Sequence, residues 1–129
     1  MDRELDLKQR VLVAFYLEYQ KEIPFMDDVK AELLQTDPLK FKIAVNKLEN
    51  EGYISGADFI TPKYVRTTGV MVTRDGLSYV EDIIGITTTM PASEKIKEVS
   101  TKVTKWGYNE LKDFAAKVLG EVISKAING

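Results

Sequence analysis

The chain of 129 residues contains no cysteine and no histidine. Without cysteine there is no disulfide, no thiolate nucleophile and no thiolate metal site. Such a composition fits a reducing cytosol. Without histidine the commonest general base near neutral pH and the commonest metal ligand are both missing. Ser-His-Asp and Cys-His mechanisms are therefore impossible with this chain's residues alone. Long apolar runs are missing too. The longest is Val11 to Leu17, far short of the roughly 18 residues of a membrane-spanning helix. Met1-Asp2-Arg3-Glu4 does not lead basic residues into an apolar stretch, so no signal peptide is expected. The expectation is a cytosolic protein with no cofactor.

What remains is ordinary for a folded chain. Apolar residues make up 44% and charged residues 29%, and the length suits one domain with its own core. The net charge of −2 hides an uneven distribution. Residues 1–37 are net −4, residues 38–74 net +3, residues 75–90 net −3 and residues 91–129 net +2. The chain is not globally basic, but its centre is locally positive, which keeps a polyanion partner open.

The first helix is expected over Leu5 to about Gln20. Leu5, Leu12, Phe15, Tyr16 and Tyr19 share one face at helical spacing. Val11, Val13, Ala14 and Leu17 fall off that face, so a second covering layer is expected, from the C-terminal segment or a second subunit. The competing reading of Val11–Leu17 is a buried strand. Ile23-Pro24 ends this element. A short second helix is expected over about Met26 to Leu34, with Val29, Leu33 and Leu34 inward. Asp37 then suits an N-cap and Pro38 the first position of a third helix reaching about Glu51. Its buried stripe is Phe41, Ala44, Val45 and Leu48, and Gly52 follows as a left-handed cap.

After Gly52 the period changes. Tyr53–Gly56, Tyr64–Arg66 and Val70–Val72 read as short extended pieces, separated by turns at Thr61-Pro62-Lys63 and Thr67-Thr68-Gly69. Thr73 caps a fourth helix from Arg74 to about Ile84, with Leu77, Val80 and Ile84 inward. Gly85–Met90 reads as a linker. From Pro91 a last helical region carries Ile96, Val99, Val103 and Trp106. After an interruption at Gly107-Tyr108-Asn109 it continues with Leu111, Phe114, Ala115, Val118, Leu119, Val122, Ile123 and Ala126. This is one kinked helix or two.

The order helix, short helix, turn, helix, strand, hairpin, helix is that of a winged helix-turn-helix. The expected fold class is α+β, mainly α: a winged helix-turn-helix domain over residues 1–85, a linker over 86–90 and a C-terminal helical extension over 91–129. With its stripe inward, the third helix turns Leu39, Ile43, Asn46 and Asn50 outward, flanked by Lys40, Lys42 and Lys47. Asparagine can pair with an adenine edge and an apolar side chain can meet a thymine methyl. Lysines neutralise phosphates and supply most non-specific affinity. Lys63 and Arg66 fall in the expected wing, within reach of a minor groove or backbone. The plainer reading is that these lysines form a solvated face. Glu49 and Glu51 close the same helix and repel phosphate, and a +3 segment is a modest footprint.

Two runs resemble a known family. Leu48-Glu49-Asn50-Glu51-Gly52-Tyr53-Ile54 and Val72-Thr73-Arg74-Asp75-Gly76-Leu77-Ser78-Tyr79-Val80 together resemble the YjcQ-like family of small bacterial and prophage winged-helix proteins. More loosely they are similar to MarR-type winged-helix regulators, where a leucine-rich helix ends in E-G-Y-I and L-T-x-x-G-x-x-x-L opens the next helix. Val72 and Val80 stand here in place of those leucines. The likeness spans about Leu5 to Ile84 and rests on structural motifs: Gly52 turns the chain, Thr73 caps, and Gly76 lets a helix approach the sheet. It implies a winged helix and, by analogy, a DNA-binding or phage-related regulatory role. It supplies no catalytic residues.

The expected function is a DNA-binding transcriptional regulator acting on double-stranded DNA through Lys40, Lys42, Ile43, Asn46, Lys47, Asn50, Lys63 and Arg66. The alternative is a winged-helix module for protein contacts, a phage or host factor. Winged-helix regulators often pair through terminal helices, so a homodimer through Leu111, Phe114, Val118 and Val122 is expected. A docking helix for another protein, or membrane-surface binding through Lys112, Lys117 and Lys125 beside Phe114, Leu119 and Ile123, are the other uses of this segment. Glu110, Asp113 and Glu121 weigh against the membrane. Asp27-Asp28 is explained by a helix start. The glycines form no phosphate loop, and no acid–base constellation points to an enzyme. Trp106 and Tyr108 suit core or dimer contacts better than base stacking.

Overall fold

The computed structural model describes residues 4–128, with side chains as far as Ser124. It contains α1 (Leu7–Tyr19), α2 (Pro38–Asn50), β1 (Ile54–Ser55), β2 (Met71–Val72), α3 (Arg74–Ile84), α4 (Ala92–Lys105) and α5 (Asn109–Asn128). The described residues are thus mainly helical, with one two-stranded antiparallel sheet pairing Ile54 with Val72 and Ser55 with Met71.

Each of the first three helices starts where a side chain can satisfy its free N–H groups. Asp6 caps α1 in a reciprocal box with Gln9, whose amide oxygen accepts from the Asp6 backbone at 2.9 Å. Asp37 accepts from Lys40 N at 2.9 Å, with Pro38 in the first turn of α2. Thr73 accepts from Gly76 N at 3.1 Å and opens α3. These are the caps the residue types favour. Gly52 has the expected positive φ of 83° after α2.

The apolar run of α1 is helical, not a strand, and it lies at the centre of the molecule. Every residue from Val11 to Glu18 is buried. α2, α3, β2 and α5 all pack on α1. The second covering layer is therefore the chain's own C-terminal helix. α4 and α5 are two helices separated at Trp106–Tyr108, packed along each other, with α4 also touching α3. One apolar cluster runs from Leu5 through Val118, so the residues expected as an extension complete the same core.

That packing corrects the expected dimer contacts. Leu111, Phe114 and Val118 are buried within the chain and Val122 is partly buried against the same core. Apolar side chains already removed from water by α1 have no surface to offer a second copy. Phe114 is equally unavailable to a membrane, and Lys117 pairs with Asp28 at 3.3 Å. The Lys125 and Ala126 side chains lie outside the described residues.

The second expected helix is also corrected. Met26–Asp28 form a single 3₁₀ turn, followed by turns through Gln35. Val29 and Leu34 are buried as expected, but the backbone takes another route. The Thr67 hydroxyl approaches the carbonyls of Met26 and Val29, at 2.9 and 3.2 Å. The Met26 carbonyl also accepts from Val29 N at 3.0 Å, closing the 3₁₀ turn. Gln35, at φ 55°, then closes the segment with Thr36 N donating to Ala31 O, a helix-terminating arrangement. A segment this short gains little from helix propagation after nucleation.

The segment from β1 to β2 is likewise more irregular than the expected wing. β1 and β2 are two residues each, and Tyr64–Arg66 contributes a single bridge, Asp58 with Arg66. α3 sits tightly on this sheet. A Cβ placed on Gly76 would stand 2.2 Å from Tyr53 O and 2.8 Å from Val72 Cγ1, so only glycine permits the approach.

Candidate nucleic-acid interface

α2 presents three different faces. Phe41, Ala44, Val45 and Leu48 point into the core. Lys42 and Glu49, seven residues apart and so on one side of the helix, point towards the loop joining β1 to β2. Glu49 Oε1 accepts from Ala57 N at 3.0 Å, and Lys42 Nζ donates to Pro62 O at 3.0 Å. Opposite the core, Leu39, Lys40, Ile43, Asn46, Lys47 and Asn50 are all exposed.

Five of the expected contact residues therefore share one open surface: Lys40, Ile43, Asn46, Lys47 and Asn50. Ile43 is 45% exposed and Leu39 beside it 43%. The side chains of Lys40, Asn46, Lys47 and Asn50 make no hydrogen bond or ion pair with the described residues. A shallow groove runs along the set, between α2 and the start of α1, lined by Leu7, Lys8, Lys40, Ile43, Ala44 and Lys47, with Asp6 at its end.

Three expected residues lie off that surface, Lys63 and Arg66 in the β1–β2 segment as expected and Lys42 unexpectedly. Lys42 is half-buried, held by the Pro62 carbonyl and lying 6.0 Å from the Phe59 ring centroid. It is not on the open face. Arg66 is exposed but sits 3.5 Å from the Asp58 carboxylate, across the backbone bridge of the same residues. Lys63 is exposed in the loop, with its backbone N–H directed to Thr61 Oγ1 at 3.2 Å.

The acidic residues that argued against phosphate are both engaged elsewhere. Glu49 faces the loop. Glu51 accepts from Lys8 Nζ at 2.8 Å. The hydrogen bond to Glu51 holds the Lys8 ammonium above its ordinary pKa against the opposing effect of burial, with the nearby charges of Glu51 and Asp6 adding to the rise. Lys8 thus neutralises an acid at the edge of the groove. Sequence reasoning missed this role, because residues 8 and 51 are linked only through the packing of α1 on α2.

The remaining buried polar groups serve the fold. Glu81 accepts from the Tyr16 hydroxyl at 2.9 Å and pairs with Lys95 at 3.1 Å, tying α1, α3 and α4 together. Burial, followed by the hydrogen bond to Glu81 and its charge, pushes the Tyr16 phenol far above its ordinary pKa. Glu18, fully buried at the end of α1, accepts from Phe25 N at 2.7 Å and from Lys21 at 2.7 Å, and Lys21 also pairs with Glu121 of α5. The Tyr108 hydroxyl accepts from Leu5 N at 2.6 Å, so this aromatic is a core fastener. Asp28 is paired with Lys117 and Asp27 with Thr68. No cluster of three or more acidic side chains fit for a metal occurs among the described residues. No described helix is long and apolar enough to cross a membrane. Comparison with protein-family models, with curated proteins and with solved structures finds no match for this chain.

Proposed function

We propose that this chain is a winged-helix DNA-binding regulator in which α2 enters the major groove and the β1–β2 loop is the wing. The observation that carries the reading is the bare face of α2: Lys40, Ile43, Asn46, Lys47 and Asn50 on one surface, with the neighbouring acids Glu49 and Glu51 engaged by Ala57 and Lys8. Asn46 and Asn50 can pair with adenine edges, and Ile43 can meet thymine methyl groups. Lys40 and Lys47 flank them as phosphate contacts. Lys63 extends the contact from the wing. The expected result is binding of random double-stranded DNA that weakens steeply between 50 and 200 mM salt. Binding that is absent at both concentrations overturns the reading.

A second reading is favoured by one specific observation. Leu39 and Ile43 are large apolar side chains left open on the same face, which also suits an apolar groove of a protein partner. In that reading a partner is retained after nuclease treatment and is lost in an Ile43→Asp variant. Two-fold pairing of chains, which sets half-site spacing on DNA, has to use surface other than Leu111, Phe114 and Val118. Analytical ultracentrifugation of the chain reads that directly.

A further inference from the structure

We infer that Lys42 and Glu49 are positioning residues that clamp the wing to the recognition helix, and that Lys42 does not touch the nucleic acid. The inference rests on the DNA-binding reading for its purpose, though not for its geometry.

The β1–β2 loop has little structure of its own. Between Ser55 and Met71 its cross-strand pairing reduces to the Asp58–Arg66 bridge, with bonds of 3.0 and 2.7 Å, and its other internal bonds are short turns: Thr61 Oγ1 accepts from Lys63 N at 3.2 Å and from Tyr64 N at 3.0 Å, and Val70 N donates to Thr67 O at 3.0 Å. These turns shape the tip locally, and its place relative to α2 is set by contacts from outside the loop. At its root, Thr67 bonds the carbonyls of Met26 and Val29 and Thr68 bonds Asp27. Towards its tip, α2 provides two grips on one side, one helical repeat of seven residues apart. Glu49 Oε1 takes the Ala57 N–H as the chain enters the loop. Lys42 Nζ takes the Pro62 carbonyl at its far end and lies over Phe59.

The chemistry of each grip suits its partner. Ala57 N–H needs an acceptor, and a carboxylate gives a charge-assisted bond. The Pro62 carbonyl needs a donor, and an ammonium over an aromatic face gains from the ring as well. Lys42 bridges the two, its charge already directed at protein groups. Lys63 follows Pro62 directly, so a fixed Pro62 fixes the origin of the Lys63 side chain. Lys42 therefore acts through Lys63.

The test uses the full chain with Lys42→Met, which keeps the apolar stem and removes the charge, and Lys42→Arg as the conservative rescue. In the free protein, Lys42→Met is expected to shift the amide resonances of residues 59–64 and lower their heteronuclear NOE, while α1 and α3 amides stay in place. Lys42→Arg is expected to return them towards wild type. Unchanged resonances at 59–64 overturn the clamp whether or not the chain binds DNA, so failure of the clamp and of the DNA reading are separable. On DNA, a double-mutant cycle with Lys63→Ala is expected to show that Lys42→Met costs little once Lys63 is gone. Additive losses, each lowering the salt slope by about 0.9, would mean a direct phosphate contact and overturn the inference.

Discussion

α1 and α2 are each 13 residues long, and each starts behind an aspartate whose carboxylate accepts from the backbone. They differ in what surrounds them. α1 is covered on every side from Val11 to Glu18, and even its polar side chains there are used internally, Tyr16 by Glu81 and Glu18 by Lys21 and Phe25. α2 buries four residues and leaves six exposed on the side opposite its core stripe. Similar helices can thus be divided between holding a fold and presenting a surface. The division is read from whether a side chain's polar and apolar groups already have partners within the chain.

Substitutions sharpen that contrast. The largest effect is expected at the centre of α1. Phe15→Ala removes a fully buried aromatic and should cost about 3–5 kcal/mol in chemical denaturation. Ile43→Ala, on the bare side of α2, should stay within about 0.5 kcal/mol. Equal losses at the two sites would break the comparison.

Next comes Tyr16→Phe, which removes a hydrogen bond to a charged acceptor, worth about 1.5–3 kcal/mol. Because the folded state keeps the Tyr16 proton at a pH where the unfolded chain loses it, the contribution is complete below about pH 10 and is lost as the pH rises beyond that. Lys21 acts with the same sign. Its burial lowers its pKa, but the hydrogen bonds and charges of Glu121 and Glu18 together outweigh that and raise it. Urea midpoints measured from pH 8 to 11 should fall at the alkaline end, and less steeply in Tyr16→Phe. A midpoint that rises with pH in this range contradicts the assignment.

A smaller effect belongs to the start of α2. Asp37→Ala removes the cap on Lys40 N and should cost about 1 kcal/mol, readable as a shift in the thermal midpoint. A loss the size of that at Phe15 would mean that α2 is held by far more than its cap and stripe account for.

Much of this architecture was legible in local residue patterns. The caps at Asp37 and Thr73, the stripe of α2 and the turn at Gly52 depend on contacts within a few residues, and they are where the sequence places them. The misread elements depend on distant partners. Met26–Leu34 has helical spacing, but its Met26 and Val29 carbonyls face the hydroxyl of Thr67, some forty residues on. Tyr64–Arg66 has strand-like residues, yet its loop is held by side chains of α2 rather than by a ladder. Leu111, Phe114 and Val118 were readable as an apolar face, and the fully apolar α1 signalled a missing cover. Matching one to the other within a single chain took the fold.

The candidate site divides the same way. Helical spacing alone turns Lys40, Ile43, Asn46, Lys47 and Asn50 outward. It could not separate Lys42 from them, because the carbonyl that draws Lys42 aside lies at Pro62. Nor could it show that Asp58 faces Arg66, or that Lys8 answers Glu51.

The most direct measurement is the salt dependence of binding to random double-stranded DNA by the wild type and by Lys40→Ala/Lys47→Ala. The double variant should unfold at the same denaturant concentration as wild type, bind more weakly, and lose about 1.8 from the slope of log affinity against log salt, two phosphate contacts at about 0.9 each. An unchanged affinity and slope in a stably folded double variant would contradict the bare side of α2 as the surface that meets DNA.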